Sequence, residues 1–247
     1  MDRPWIKHYD PKMKDTVICP EKTLYQMFKR TVDHFPDRTA LTFEGIHISF
    51  KKMLKQVDFA ASAFRALGMQ EKDVLTICLP NIPQAAIAFY AANKLGIVCN
   101  MVHPKTPPSE LSDFMTSTES RHIVILDAFM HGSLRIFEEN GVKNVIVARI
   151  GDYLSPIKRT AFFLAKGRKI PPKPTRDRYK YWKDILAKGS SEKSETDMPN
   201  QMGTHDPAVY LHSGGTTGAP KTIVLSSHNM YYLALAGPQI VNIDDPF

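Results

Sequence analysis

The chain has 247 residues and a mass of 27.9 kDa, long enough for one or two domains with a buried core. Apolar residues make up 43% and charged residues 23%, a balance that excludes a disordered or fibrous chain. The formal charge is +7, yet residues 158–193 hold 12 Lys or Arg against 3 acidic residues; that segment carries +9 and the rest sums to −2, which argues against a generally nucleic-acid-binding surface.

Three scattered cysteines, Cys19, Cys78 and Cys99, exclude a disulfide scaffold and a thiolate metal site and point to a reducing compartment. The opening Met1-Asp2-Arg3-Pro4-Trp5 lacks the charged and apolar regions of an export signal, so a cytoplasmic location is expected. Residues 74–93 are uncharged, but Pro80, Asn81, Pro83 and Gln84 interrupt them, and they read as a strand, a turn and a helix instead of a membrane span.

In chain order, Leu24, Met27, Phe28 and Val32 predict a helix over 23–35 that Pro36 ends. Residues 41–43 and 47–49 flank Glu44-Gly45-Ile46 as a hairpin, with Ser49 placed to cap the next helix. That helix shows Phe50, Met53, Leu54, Val57, Ala60, Ala61, Phe64 and Leu67 on one face and stops at Gly68. Strands are expected at 74–79, 97–102, 123–126 and 145–147. Between them the pattern predicts helices over 83–95, from a Ser109 cap through Phe114, and over 129–139. This alternation predicts an α/β fold with parallel β/α/β layers. After Gly151 a basic, partly apolar helix over 156–169 is stopped by Pro171, Pro172 and Pro174. A second short amphipathic segment carries Tyr179, Tyr181, Trp182, Ile185 and Leu186, and 190–203 reads as a polar loop.

The most chemically informative stretch is Ser213-Gly214-Gly215-Thr216-Thr217-Gly218-Ala219-Pro220-Lys221, between the apolar Ala208-Val209-Tyr210 and Thr222-Ile223-Val224-Leu225. Three glycines let backbone amides approach a ligand, three hydroxyls add donors and Lys221 adds a mobile positive charge, a set that suits a polyphosphate. The spacing is neither that of a nucleotide-hydrolase P-loop nor that of a dinucleotide fingerprint. A strand, a Gly-rich loop and a second strand are expected.

These residues resemble the phosphate-binding loop of the ATP-dependent acyl-adenylate-forming (AMP-binding) superfamily, which includes acyl-CoA synthetases, luciferases and nonribosomal peptide adenylation domains. Residues 213–221 match the first nine positions of the family pattern; Thr222 stands where Gly is usual, and Ser227 stands where His is usual in the Ser226-Ser227-His228-Asn229 stretch. Further landmarks, Pro4-Trp5, Ala40-Leu41, Ser49-Phe50, Leu79-Pro80-Asn81, and Asn100 with Pro104 and Glu110, look like the N-terminal part of medium- to long-chain fatty acyl-CoA synthetases. The basic, Pro-containing segment 152–203 resembles an insertion of the bacterial long-chain members.

The resemblance implies that residues 1–247 form an incomplete AMP-binding large domain, with the rest of that domain and a small C-terminal domain absent. It implies ATP-dependent activation of a carboxylate, a fatty acid first, through an acyl-adenylate to acyl-CoA, with Mg²⁺ accompanying ATP and CoA as co-substrate. On this reading Ser213, Gly214, Gly215, Thr216, Thr217, Gly218 and Lys221 hold the nucleotide phosphates, and Thr217 and Lys221 act in catalysis. No metal ligand is assigned. Essential catalytic elements would have to come from a downstream-encoded remainder of the enzyme.

The alternative is a truncated, noncatalytic nucleotide- or membrane-binding protein. Residues 158–193 read as a solvated insertion or as a contact with the inner face of an anionic membrane; nucleic acid is disfavoured because no aromatic RNA-binding module accompanies the charge. His212 reads as either a substrate contact or an exposed or satisfied loop histidine, and His228 and Asn229 read as capping or packing residues at the start of the next helix ahead of direct catalysis. Cys78 and Cys99 read as packing residues.

Overall fold

In the computed structural model, the described residues are 3–9, 17, 19–191, 201–213 and 221–240. Helix α1 (Leu24–His34) opens with a capping box in which the Gln26 N–H donates to Thr23 Oγ1 (3.3 Å) and the Thr23 N–H to Gln26 Oε1 (2.9 Å). Strands β1 (Thr39–Phe43) and β2 (Ile46–Ser49) form an antiparallel hairpin. Its turn holds Glu44 and Gly45 at φ 51° and 83°, so Gly45 relieves one of two left-handed positions. Ser49 then caps α2 (Phe50–Ala66) through the Lys52 N–H, as expected.

The main sheet has seven strands: β3 (Val74–Cys78), β4 (Val98–Met101), β5 (His122–Leu126), β6 (Asn144–Ala148), β7 (Tyr179–Tyr181), β8 (Pro207–His212) and β9 (Thr222–Ser226). They lie side by side as β7-β6-β5-β3-β4-β8-β9, all parallel except β9, which runs antiparallel to β8. Every residue of β3, β5 and β6 is buried, as a parallel sheet covered on both faces requires. Successive side chains divide between two cores. Leu75, Ile77, Val124, Leu126, Ile146 and Ala148 pack with α1, α2, α3 (Pro83–Lys94) and α8 (Trp182–Ser191). On the opposite face Cys78, Ile123, Ile125, Val145 and Val147 pack with α4 (Pro108–Ser117) and α6 (Leu134–Glu139). The 74–93 stretch resolves into β3, a turn and α3, and among the described residues no helix is long and apolar enough to cross a membrane.

Several boundaries differ from the sequence expectation. Ser109 does not cap α4: Pro107 is the cap and Pro108 takes the first helical position, where a missing N–H costs nothing. The helix expected over 129–139 is broken into α5 (Asp127–Met130), a 3₁₀ turn (His131–Ser133) and α6, with Gly132 at the break. Likewise α7 (Pro156–Ala165) ends before Gly167, and 167–169 form a 3₁₀ turn. Helix α8 runs to Ser191, past the start of the expected loop, and residues 192–200 lie outside the described set.

Part of the 152–203 segment belongs to the body of the fold. β7 extends the sheet beside β6, and Trp182 of α8 is fully buried with its ring edge-on to Phe64 of α2, centroids 6.4 Å apart. Gly189 lets the two helices touch: a Cβ there would lie 2.0 Å from the Phe59 carbonyl oxygen. Helix α7, by contrast, has no buried residue.

Candidate nucleotide-phosphate site

The two expected strands are present as β8 and β9, paired in register from His212 opposite Thr222 to Val209 opposite Leu225, with a bulge before Pro207 meets Ser226. Because β8 is parallel to β4, the 213–221 connection emerges at the carboxyl end of the parallel strands, where open α/β sheets receive ligands. Two bonds close its base: the Ser213 N–H donates to the Lys221 carbonyl (3.0 Å) and the Lys221 N–H to Ser213 Oγ (3.1 Å). The backbone of Lys221 is thereby fixed while its side chain stays exposed. Gly214, Gly215, Thr216, Thr217 and Gly218 lie outside the described residues.

His212, the last residue of β8, is held on three sides. Its ring stacks on Phe114 of α4, centroids 3.7 Å apart and planes 9° from parallel. Its Nε2 lies 2.6 Å from Asn100 Oδ1 and its Nδ1 lies 3.4 Å from Thr222 Oγ1. The Asn100 amide nitrogen already donates to Thr76 Oγ1 (3.0 Å) and Thr118 Oγ1 (3.2 Å), so Oδ1 is an acceptor and His212 carries its proton on Nε2. Nδ1 is then free to accept from the Thr222 hydroxyl, and burial holds the His212 pKa below the ordinary imidazole value, consistent with a neutral ring.

Behind Asn100 the network continues through Thr76 Oγ1, which donates to Ser120 Oγ (2.7 Å), and Ser120, which reaches the Val74 and His122 carbonyls. A chain of polar groups therefore runs from the buried middle of the sheet, through half-buried His212, to the exposed residue after Lys221. His212 is a hydrogen-bonded histidine at the base of the loop. Thr222, the departure from the family pattern, provides a hydroxyl that a glycine would lack. No local sequence pattern links Asn100 to His212, 112 residues away, or marks Phe114 as the stacking partner of His212.

Past the loop, α9 (Ser227–Ile240) starts with Asn229 Oδ1 accepting from Ser226 N–H and Oγ–H, both 2.9 Å, while the Asn229 N–H returns to Ser226 Oγ (3.2 Å). Asn229 is thus a helix-start residue. Ser227, where the family has His, ties α9 to α1 by accepting the Leu24 N–H (3.2 Å). Cys78 and Cys99 are buried packing residues; burial pushes the Cys78 thiol up to about 12 and raises Cys99 as well, so neither is a thiolate nucleophile. Among the described residues no three His, Cys, Asp or Glu side chains gather as a metal site.

The model of the family described as AMP-binding enzyme matches residues 28–245, nearly the whole chain and all of this site. The chain belongs to that family. It is 26% identical over 229 residues to a long-chain-fatty-acid–CoA ligase of Bacillus subtilis, covering 92% of this chain and 40% of the relative. It is 28% identical over 235 residues to one from Yersinia pestis, covering 93% and 41%. Among solved structures, the anthranilate CoA ligase AuaEII with anthranoyl-AMP superimposes with a TM-score of 0.69 at 15% identity, covering 90% of this chain and 38% of that one. Acetoacetyl-CoA synthetase of Streptomyces lividans gives 0.68 at 21%, covering 87% and 32%. At these identities the structural likeness establishes the fold: the N-terminal part of the acyl-adenylate-forming ligases. This AMP-binding family member spans about two fifths of the length of the curated relatives it matches.

Proposed function

We propose that this chain supplies the phosphate-binding part of an ATP-dependent acid–thiol ligase that activates a medium- or long-chain fatty acid through acyl-adenylate to acyl-CoA. The observation that carries the reading is the closed strand-loop-strand base at the carboxyl end of the sheet, bearing the family's loop sequence and ending on Lys221. In this role the amides of 214–218 and the hydroxyls of Thr216 and Thr217 cradle the β- and γ-phosphates, Ser213 braces the loop, and the Lys221 ammonium balances charge as pyrophosphate leaves. Family membership implies ATP and CoA as co-substrates. Mg²⁺ would accompany ATP; no protein ligand for it is assigned. The fatty acid is favoured over other carboxylates by the two long-chain ligase relatives.

The parts that hold the adenine, the acyl chain and the thiol would come from polypeptide corresponding to the unmatched portion of the relatives. ATP–pyrophosphate exchange with a panel of fatty and aromatic acids tests this. Residues 1–247 alone should give no exchange, and adding the remainder of the enzyme should restore it with fatty acids. Lys221→Ala in that assembly should lower exchange by roughly 10²–10³-fold, the loss typical of one oriented charge-stabilising donor, while the thermal midpoint stays unchanged because the side chain is exposed. Nucleotide binding by the chain without exchange in any assembly would instead favour a noncatalytic nucleotide-binding protein.

A further inference from the structure

Helix α7 stands apart from the rest of the fold. Ile157, Ala161 and Leu164 share one helical face, at i, i+4 and i+7, and that face is largely exposed: Ile157 is 84% exposed and Leu164 55%, with Phe163 beside them at 57%. A helix of a globular domain ordinarily turns such a stripe inward. Here other contacts fix the helix. Ser155 caps it through the Lys158 N–H, Lys158 Nζ donates to the Glu44 carbonyl (2.7 Å) and pairs with its carboxylate (3.1 Å), and Phe162 is half-buried. The apolar stripe is therefore presented outward by a fixed helix.

Its surroundings are strongly cationic. Residues 156–169 contain Lys158, Arg159, Lys166, Arg168 and Lys169 and no acidic residue. Lys158 is taken up by Glu44, and among the described residues the other four have no carboxylate partner. Exposed apolar side chains ringed by unpaired cations complement a surface with anionic phosphates outside and acyl chains beneath. A nucleic acid would use the charge but leave Ile157 and Leu164 in water. A second copy of the same face would bring like charges together.

We propose that α7 and the 3₁₀ turn after it form a peripheral docking surface for an anionic lipid bilayer, with Ile157 and Leu164 entering the headgroup–acyl boundary and Lys166, Arg168 and Lys169 lying over the phosphates. The inference stands on the exposure and charge of this face and does not depend on the catalytic reading.

Cosedimentation of the full chain with phosphatidylcholine vesicles, with and without phosphatidylglycerol, tests it. Binding should require phosphatidylglycerol and weaken as salt rises. Ile157→Ser with Leu164→Ser should weaken it by about tenfold or more, the scale expected when several buried methyl and methylene groups are removed. Lys166→Gln with Arg168→Gln and Lys169→Gln should abolish the preference for the anionic lipid. All five positions are exposed, so both variants should keep the wild-type circular dichroism spectrum and thermal midpoint. The proposal is overturned if the chain ignores phosphatidylglycerol vesicles, or if the Ile157 and Leu164 substitutions leave vesicle binding unchanged. It is equally overturned if the chain binds double-stranded DNA as tightly as vesicles, or if those two substitutions abolish self-association and not vesicle binding.

Discussion

At the scale of single residues, His212 joins the buried polar network to the base of the phosphate loop. His212→Phe would keep the stack on Phe114 but orphan Asn100 Oδ1, an acceptor on a fully buried side chain, and such an orphan costs about 1–3 kcal/mol. Urea denaturation should show that loss, and in the assembled enzyme the KM for ATP should rise more than kcat falls, because the base of the loop is disturbed and no reacting group is removed. His122 is buried where His212 is half-buried: its Nδ1 accepts from the Asn144 amide at 2.9 Å, and burial lowers its pKa, with Asp73 opposing and Lys143 adding to the shift. Both rings have folded-state pKa values below their unfolded values. The unfolded chain therefore takes up protons first, and their stabilising contribution is complete above the ordinary histidine pKa of about 6.5 and is lost as pH falls from there through the folded values. Urea midpoints should drop between about pH 7.5 and pH 5.5, and His212→Gln should flatten part of that slope while leaving the part due to His122.

At the scale of elements, the α2–α8 crossing depends on a missing side chain. Gly189→Ala would press a methyl group into the Phe59 carbonyl, and moving either helix disturbs the buried Trp182–Phe64 contact. A loss of about 1–3 kcal/mol is expected, seen as a fall in thermal midpoint of roughly 2–4 °C per kcal/mol. Gly132→Ala, whose new Cβ would meet nothing nearer than 4.0 Å, is the control and should change the midpoint far less. These elements also show what the sequence could disclose. α2 and the three buried strands were legible because their periodicity spans enough residues to be unambiguous, and the Ser49 cap was legible because capping is local; the Thr23 capping box, equally local, was not read from the sequence. The breaks at Gly132 and Gly167 were missed because an apolar rhythm passes over a single glycine without interruption. The place of Trp182 was not legible at all: short aromatic runs pack in many ways, and the partner that decides this one lies on α2. In the candidate site, the loop's chemistry was legible from its composition, whereas its support by Asn100 and Phe114 exists only once β4, α4 and β8 are side by side.

At the scale of the molecule, the sheet ends on its most apolar edge. β9 pairs only with β8 among the described residues, its outer backbone groups face no strand there, and Ile223 and Val224, on opposite faces of the strand, are 45% and 55% exposed. Stable proteins rarely leave a flat apolar edge uncovered, because it templates pairing with another chain. The chain spans about two fifths of its relatives' length, and on the proposed reading, in which the remainder of the enzyme completes the fold, this edge is where that remainder would pair. Taken alone, residues 1–247 should therefore associate with themselves in a concentration-dependent way, measurable by sedimentation velocity. Val224→Lys puts a charge on the exposed edge without touching either core, so it should reduce that association while leaving the thermal midpoint within about 1–2 °C of wild type, as a surface change should. The same substitution should weaken recovery of ATP–pyrophosphate exchange when the remainder of the enzyme is supplied, because a joint that completes the sheet and a contact that aggregates the isolated piece would use the same strand. If association falls and exchange recovers undiminished, completion of the fold uses a different surface from the one that aggregates.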